Sequence, residues 1–143
     1  MPESGAVGVL RTKVERYLEE LYGGYQVDAD GDFALGAESA RAWVRPVELP
    51  GGRTGVRVWS ITNVGMRVDD ELTRFLATEN AKFVFGSLAL DEGRPAILFG
   101  HTLLGEFLNR RELEVAVDAV VSIADEYDDR IKSRFGGQLF SET

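Results

Sequence analysis

Hydrophobic positions recur every three or four residues in three stretches of the chain, which is the spacing of one helix face. The first stretch covers residues 7–22 and stops at two consecutive glycines. A second, shorter helix is predicted from Asp69 or Asp70 to about residue 80, because acidic side chains favour a helix N-terminus. The apolar positions of these two helices are Leu10, Val14, Tyr17, Leu18, Leu21, Leu72, Phe75 and Leu76.

The third stretch predicts the longest helix. Asn109 stands at its N-cap and Glu112 follows three residues later, as in a capping box in which asparagine replaces the usual hydroxyl residue. Gly136 and Gly137 end the helix. Its apolar residues form one continuous stripe, which must pack on another element. The stripe consists of Leu113, Ala116, Val117, Val120, Ala124, Tyr127 and Ile131.

Between the helices, the pattern changes to short alternating runs separated by turn residues, which is typical of antiparallel strands. The last two runs are almost continuously apolar, and this predicts burial on both faces or a central place in the sheet. The predicted strands are residues 25–29, 32–35, 40–49 and 54–64 before the second helix, and residues 83–90 and 95–103 after it.

The sequence LPGGRT, residues 49–54, predicts a tight hairpin because consecutive glycines supply the positive φ that such a turn needs. With the two glycines as its central pair, Trp43 faces Ser60 across the hairpin. Val44 then faces Trp59. A slip of one residue would exchange the two faces of the strands.

These elements predict an α+β fold in which helices cover one face of an antiparallel sheet. Their order is helix, three or four strands, helix, two strands and a long helix, or α-β-β-β-α-β-β-α. The other face of the sheet is left to water or to a partner. A length of 143 residues suits a single domain over residues 1–143.

Composition narrows the function. Hydrophobic residues make up 44% and charged residues 28% of the chain, as in ordinary globular proteins. Without cysteine there is neither a disulfide nor a thiolate metal site. A formal net charge of −8 opposes binding to nucleic acid or to anionic membranes. No signal peptide or membrane span is recognised, so a cytoplasmic location is expected.

The sequence DADGDF resembles the start of a calcium-binding loop. Asp28, Asp30 and Asp32 fit its first three ligand positions, but Phe33 stands where the loop needs glycine. Ser39 stands where it needs glutamate. Because Asp-Gly is a strong turn signal, the segment predicts a hairpin turn rather than a metal site. Neither a metal nor a cofactor is therefore predicted.

Catalytic signals are weak. His101 is the only histidine, and its neighbours on an apolar strand favour a packing role. The chain has no GxSxG elbow and no GxGxxG or GxxxxGK phosphate loop. Asp125, Asp128 and Asp129 lie beside the stripe of the last helix and predict a solvated rim. An enzyme is the weakest hypothesis.

The two tryptophans are more informative. By default a tryptophan belongs to the core. If Trp59 projects instead from the uncovered sheet face, then Val44, Arg57 and Ile61 surround it. A patch of this aromatic and arginine character is typical of an interface centre. The predicted partner-binding residues are therefore Val44, Arg57, Trp59 and Ile61.

Several segments together resemble YbjN-like proteins, small bacterial domains related in fold to the class I chaperones of type III secretion. These segments are DADGDFAL, ARAWVRPVEL, TGVRVWSITN, LTRFLATENAKFVFGSLAL and ELEVAVDAVVSIADEYDDRIKSRFGG. The resemblance runs from about Leu10 to Gly137. Its best motifs are Leu72, Leu76 and Asn80 at a helix end, Gly86 in a strand, Ala124, Asp125 and Tyr127, and residues 135–137.

The resemblance implies a chaperone-like fold, often dimeric, that binds protein segments or acts as a regulatory adaptor without catalytic machinery. The leading hypothesis is therefore a non-enzymatic protein-binding domain, a chaperone or regulatory adaptor, that binds a segment of a protein client. A homodimer could use the same surface. The alternative is a small-molecule-sensing regulatory domain with an apolar pocket between sheet and helices. That pocket would be lined by Phe83, Phe85, Phe99 and Tyr127.

Overall fold

A computed structural model describes residues 3–36 and 41–143 of the chain. Ser39 and Ala40, which the sequence places in a failed calcium signature and at a strand start, lie outside these residues. The elements are α1 (Gly5–Tyr22), β1 (Gln26–Val27), β2 (Phe33–Leu35), β3 (Ala42–Leu49), β4 (Arg53–Val64), α2 (Asp70–Asn80), β5 (Ser87–Asp91), β6 (Ala96–Leu104), α3 (Arg110–Phe135), β7 (Gln138–Leu139) and a 3-10 helix (Phe140–Glu142).

The helix starts follow from side chains that cap the first turn. Asp69 accepts a hydrogen bond from the Leu72 amide at 2.9 Å, and α2 begins at the next residue. Asn109 accepts a hydrogen bond from the Glu112 amide at 2.8 Å. Its side-chain amide donates in return to the Glu112 carboxylate at 3.0 Å. The predicted caps of α2 and α3 are confirmed.

The strands form one antiparallel sheet in the order β1-β2-β3-β4-β6-β5, and β7 pairs with the end of β4. The predicted α+β class and order of elements are confirmed. The strand predicted over residues 83–90 begins only at Ser87, because the positive φ of Gly86 (+74°) turns the chain away from the sheet. This strand is at the edge of the sheet, so the predicted central place is wrong for β5.

The register of the β3–β4 hairpin differs from the predicted one by one residue. Trp43 pairs with Trp59, and the loop contains the three residues 50–52. Val44 pairs with Val58, so that the valines of both strands share the face that the helices cover. The alternation of buried and partly exposed side chains along both strands sets this register, because the predicted pairing would have put a valine and a tryptophan on the same face.

Side chains of the sheet alternate between a helix-covered face and an opposite face. The covered face is mostly buried, although His101 and Leu103 near the end of β6 remain partly exposed. The whole predicted stripe of α3 packs into this core. On the opposite face, Trp43, Arg45, Arg57 and Trp59 remain partly exposed. We call these four residues the uncovered face. No helix among residues 3–36 and 41–143 combines the length and apolarity needed to cross a membrane.

Candidate functional site

Two tryptophans occupy the centre of the uncovered face. Because Trp43 and Trp59 are cross-strand partners, their rings stack with centroids 6.1 Å apart and planes inclined by 14°. Neither ring is fully buried. The chain contains two tryptophans in all, so this face carries every indole of the protein. The result is a flat aromatic surface of the kind that anchors a protein partner.

Arg45 extends this surface and is electrostatically compensated. It forms a two-point ion pair with Asp32, in which the Nη2 and Oδ2 atoms lie 2.7 Å apart. Its Cζ atom lies 5.2 Å from the Trp59 ring centroid, within cation–π range. The Asp32 side chain is almost completely buried. Arg45 therefore contributes a rigid, hydrogen-bonded side chain to the uncovered face, and its charge is neutralised by Asp32.

Arg57 is the charged group of the face that no carboxylate neutralises within the described part of the chain. Its guanidinium lies over Gly100, where a Cβ atom would stand 3.0 Å from Nη2. The Nη1 atom donates to the Thr102 hydroxyl at 3.4 Å. The absence of a side chain at Gly100 thus makes room for a flat arginine. A partner carboxylate reaching this position would find an unpaired cation.

The chain's own C-terminal segment covers one end of the uncovered face. At Gly137, a Cβ atom would lie 2.5 Å from the Val64 carbonyl oxygen, and this close approach sets β7 beside β4. Phe140 then meets the Trp43 ring edge-on, with centroids 5.5 Å apart. This segment could not be predicted from the sequence, because a two-residue strand and a single turn leave no periodic pattern.

Arg57 and Trp59 lie on the uncovered face as predicted, whereas two other predicted residues do not line an exposed patch. Val44 has no exposed surface and points into the core, which corrects its assignment. Ile61 follows the alternation of the uncovered face but is only 9% exposed. The one-residue register difference explains the first error, since it exchanges the faces of β3. It also explains why Trp43 was not predicted.

The early aspartates build a turn, as predicted. Gly31 has φ +84°, and its amide donates to the Asp28 carbonyl oxygen at 3.0 Å. The Asp28 carboxylate accepts the amides of Asp30 and Asp32, each at 3.0 Å. Carboxylate oxygens of these three residues lie within 4.8 Å of one another. Two of the three side chains are engaged, one by the turn and one by Arg45.

The aromatic residues of the predicted small-molecule pocket pack on one another. The Phe83 ring centroid lies 5.1 Å from that of Phe99 and 5.3 Å from that of Tyr127. Phe85 stacks on His101 with centroids 3.6 Å apart. Burial lowers the pKa of His101, which favours its neutral form in this contact.

A buried charged cluster joins α2 to α3. Glu79 is only 4% exposed, and it accepts hydrogen bonds from Lys82 at 2.7 Å, Tyr127 at 2.8 Å and Arg130 at 3.0 Å. These bonds lower the pKa of Glu79 to about 2, the one from Lys82 contributing most. The cluster lies on the helix side of the sheet, so we assign it to stability. The sequence did not predict this cluster, because the position of Glu79 near a helix end does not indicate burial.

A protein-family model matches residues 8–143; this model, TY-Chap1, is described as T3SS (YopN, CesT) and YbjN peptide-binding chaperone 1, where T3SS is the type III secretion system. The chain belongs to the TY-Chap1 family. The predicted resemblance to YbjN-like proteins and to the chaperones of type III secretion is thereby confirmed. No curated protein matches this chain.

Two solved structures share the fold of this TY-Chap1 protein. A chain of the ExsC–ExsE complex superposes with a TM-score of 0.61 at 19% identity, covering 84% of this chain and 94% of that one. A chain of the HopA1–SchA chaperone–effector complex superposes with a TM-score of 0.64 at 11% identity, covering 90% of this chain and 99% of that one. At such low identity, the likeness establishes the fold alone.

Proposed function

We propose that this TY-Chap1 protein is a non-enzymatic, cytoplasmic chaperone or adaptor that binds a segment of a partner protein on its uncovered face. The observation that carries the proposal is the stacked pair Trp43 and Trp59, partly exposed beside the unpaired Arg57. Membership of a peptide-binding chaperone family supports it. So do the two proteins of similar fold, since one comes from the ExsC–ExsE complex and the other from the HopA1–SchA chaperone–effector complex.

The face determines what kind of segment fits. Flat indole rings bury apolar side chains with little loss of conformational entropy, since each has only two rotatable bonds. Arg57 favours a carboxylate beside those apolar groups. The chain as a whole is acidic, with a net charge of −8, and so repels partners that are acidic throughout. We therefore expect a mainly apolar segment that carries one or two acidic residues.

The titratable groups of the described residues support a binding role. His101 is stacked on Phe85, and Glu79 is saturated by three donors. Asp125, on the predicted rim, pairs with Arg41 at 3.1 Å, and both side chains are exposed. A general acid or base needs a free position beside a substrate, and neither His101 nor Glu79 offers one.

Charge reversal at Arg57 tests the proposal. A peptide-display library is selected against the immobilised full chain, and the best peptide is labelled for fluorescence anisotropy. Arg57→Glu is expected to weaken its binding roughly tenfold or more, because an acidic side chain would then meet a like charge. The melting temperature should stay within a few degrees, since surface substitutions cost about 0.5 kcal/mol or less.

Arg111→Glu is the matched control. It changes the net charge by the same amount on the helix side, where Arg111 is 77% exposed. Binding by this variant should equal that of the wild type. Equal weakening of binding by both variants would show that the net charge of the protein causes the effect. Undiminished binding by Arg57→Glu would refute the proposed site. The same face is also available to a second copy of the chain, so the titration is repeated at several protein concentrations.

A further inference from the structure

The C-terminal segment, residues 138–143, is held against the sheet by a short stretch of pairing. None of its six side chains is buried, although α3 before it ends on the buried Phe135. Its strand, β7, pairs with β4 through two residues only, Gln138 opposite Val64 and Leu139 opposite Asn63. Segments with little buried apolar surface open at a low cost in free energy. The C-terminal segment therefore belongs to the low-stability end of the fold.

This segment occupies the Trp43 end of the uncovered face. Phe140 meets the Trp43 ring edge-on, with centroids 5.5 Å apart and planes inclined by 70°. Trp43 in turn stacks on Trp59, so it contacts two aromatic rings at once. A partner side chain that packs against the same edge of Trp43 must replace Phe140, because two rings cannot share one position.

The segment and the sheet are not tightly packed on each other. A cleft of about 40 Å³ remains beside the segment, and Ile61, Phe140 and Ser141 belong to its lining. Directly opposite Leu139, the buried Asn63 keeps its Oδ1 atom without a hydrogen-bond donor among the described residues. Buried polar atoms are normally bonded. The closed position thus leaves both packing and hydrogen bonding incomplete, which lowers the cost of displacing the segment.

The composition of the segment matches the partner expected for the uncovered face. Its sequence is QLFSET, in which the apolar Leu139 and Phe140 precede one acid, Glu142. The Glu142 carboxylate accepts from the Lys132 ammonium at 2.7 Å and from the Leu139 amide at 3.1 Å. The aromatic ring and the carboxylate of the segment therefore make the two kinds of contact that the face offers to a partner.

We propose that the C-terminal segment is an internal competitor, which the partner segment displaces when it binds the uncovered face. This inference rests on the proposed function and adds a regulation of the same site. It also specifies the partner, which carries an aromatic side chain to replace Phe140 at Trp43 and an acid for Arg57. Because the two occupants exclude each other, the segment lowers the apparent affinity for the partner in proportion to the fraction of molecules whose face is free.

Gly137→Ala is the first variant that tests the proposal. A Cβ atom at Gly137 would stand 2.5 Å from the Val64 carbonyl oxygen and 2.7 Å from the Met66 amide nitrogen, so β7 cannot keep its place beside β4. Gly136→Ala is the matched control. Gly136 has φ +76° against +77° for Gly137, but a Cβ atom there meets nothing within 4 Å. Both variants carry the same backbone strain, and only one adds the collision.

Phe140→Ala is the second variant, because it removes the competing ring and leaves the main chain unchanged. Its control is Phe140→Tyr, which keeps the ring against Trp43. The peptide selected by display is titrated against each full chain by fluorescence anisotropy. Gly137→Ala and Phe140→Ala should bind it roughly three- to tenfold more tightly than the wild type. Both controls should bind like the wild type, and selection on Gly137→Ala should enrich peptides that contain an aromatic residue.

Release of the segment is also measured without any peptide. Since Phe140 covers one edge of Trp43, acrylamide should quench the tryptophan emission of both releasing variants more strongly than that of the wild type and the controls. Residue-resolved hydrogen exchange follows the amides of Gln138 and Leu139. These amides should exchange faster in Gly137→Ala than in the wild type, and faster in the wild type with peptide bound than without it.

The outcomes separate this inference from the proposed function. A peptide that responds to Arg57→Glu but binds the wild type and both releasing variants equally would overturn the competition and leave the binding face in place. Unchanged exchange of the segment in the wild-type complex would do the same. Selection of no peptide on either the wild type or Gly137→Ala would overturn both proposals. If Gly137→Ala does not fold, Phe140→Ala and the exchange data on the wild type decide the question.

Discussion

Replacing Gly86 by alanine is expected to lower the free energy of unfolding by about 3 to 5 kcal/mol. Gly86 has φ +74°, where an alanine is strained. A Cβ atom would also stand 2.6 Å from the Phe99 ring and 2.8 Å from the Gly100 carbonyl oxygen. Phe99 has no exposed surface, so its ring has nowhere to move. Urea unfolding of the full chain measures the loss.

Gly31→Ala separates the two causes of this loss. Gly31 has a similar φ of +84°, but a Cβ atom there meets nothing within 4 Å. We expect it to lose only about 1 kcal/mol, which is the conformational part. The collision with Phe99 accounts for the difference between the variants. Equal losses in both would contradict the packing described around β5.

Glu79→Gln is expected to cost about 2 to 3 kcal/mol at neutral pH. The substitution leaves Lys82 and Arg130 without their buried carboxylate, although both cations are partly exposed and regain water. For a chain of this size, the loss corresponds to a fall of about 5 to 10 °C in the melting temperature. Tyr127→Phe, which removes a single donor, should lose about half as much.

The same cluster predicts a pH dependence of stability. The pKa of Glu79 in the folded protein is about 2, below its ordinary value of 4.5. The unfolded chain therefore binds a proton first as the pH falls, so the contribution of Glu79 is complete above about pH 4.5 and is lost towards pH 2. The glutamine side chain of Glu79→Gln does not titrate, so the variant lacks this pH-dependent contribution. The stability difference between wild type and variant should shrink over that interval, and a constant difference would contradict the assignment.

The helices could be predicted closely because their signals are local. The caps at Asp69 and Asn109 act within three residues, and the stripe of α3 repeats over the whole helix. The Glu79 cluster could not be predicted, because Tyr127 and Arg130 approach it only in the folded chain. A charged residue on a short helix has the same pattern whether it is solvated or buried.

Part of the candidate site could be predicted from the sequence, and the length of the loop between β3 and β4 determined which residues were identified. Arg57 and Trp59 were identified from their aromatic and cationic character. Placing two residues instead of three in the loop after β3 exchanged the faces of that strand, so Val44 was included and Trp43 and Arg45 were not. Consecutive glycines allow either loop length. The alternation of buried valines across both strands would have favoured the correct one.

Tryptophan fluorescence tests the central claim most directly, because both indoles of the chain belong to the uncovered face. The selected peptide contains no tryptophan, and its binding is followed at once by anisotropy and by the emission of Trp43 and Trp59. We expect an emission shift to shorter wavelength that saturates with the same dissociation constant as the anisotropy. A peptide that binds tightly while the emission stays unchanged would contradict the uncovered face as the binding site.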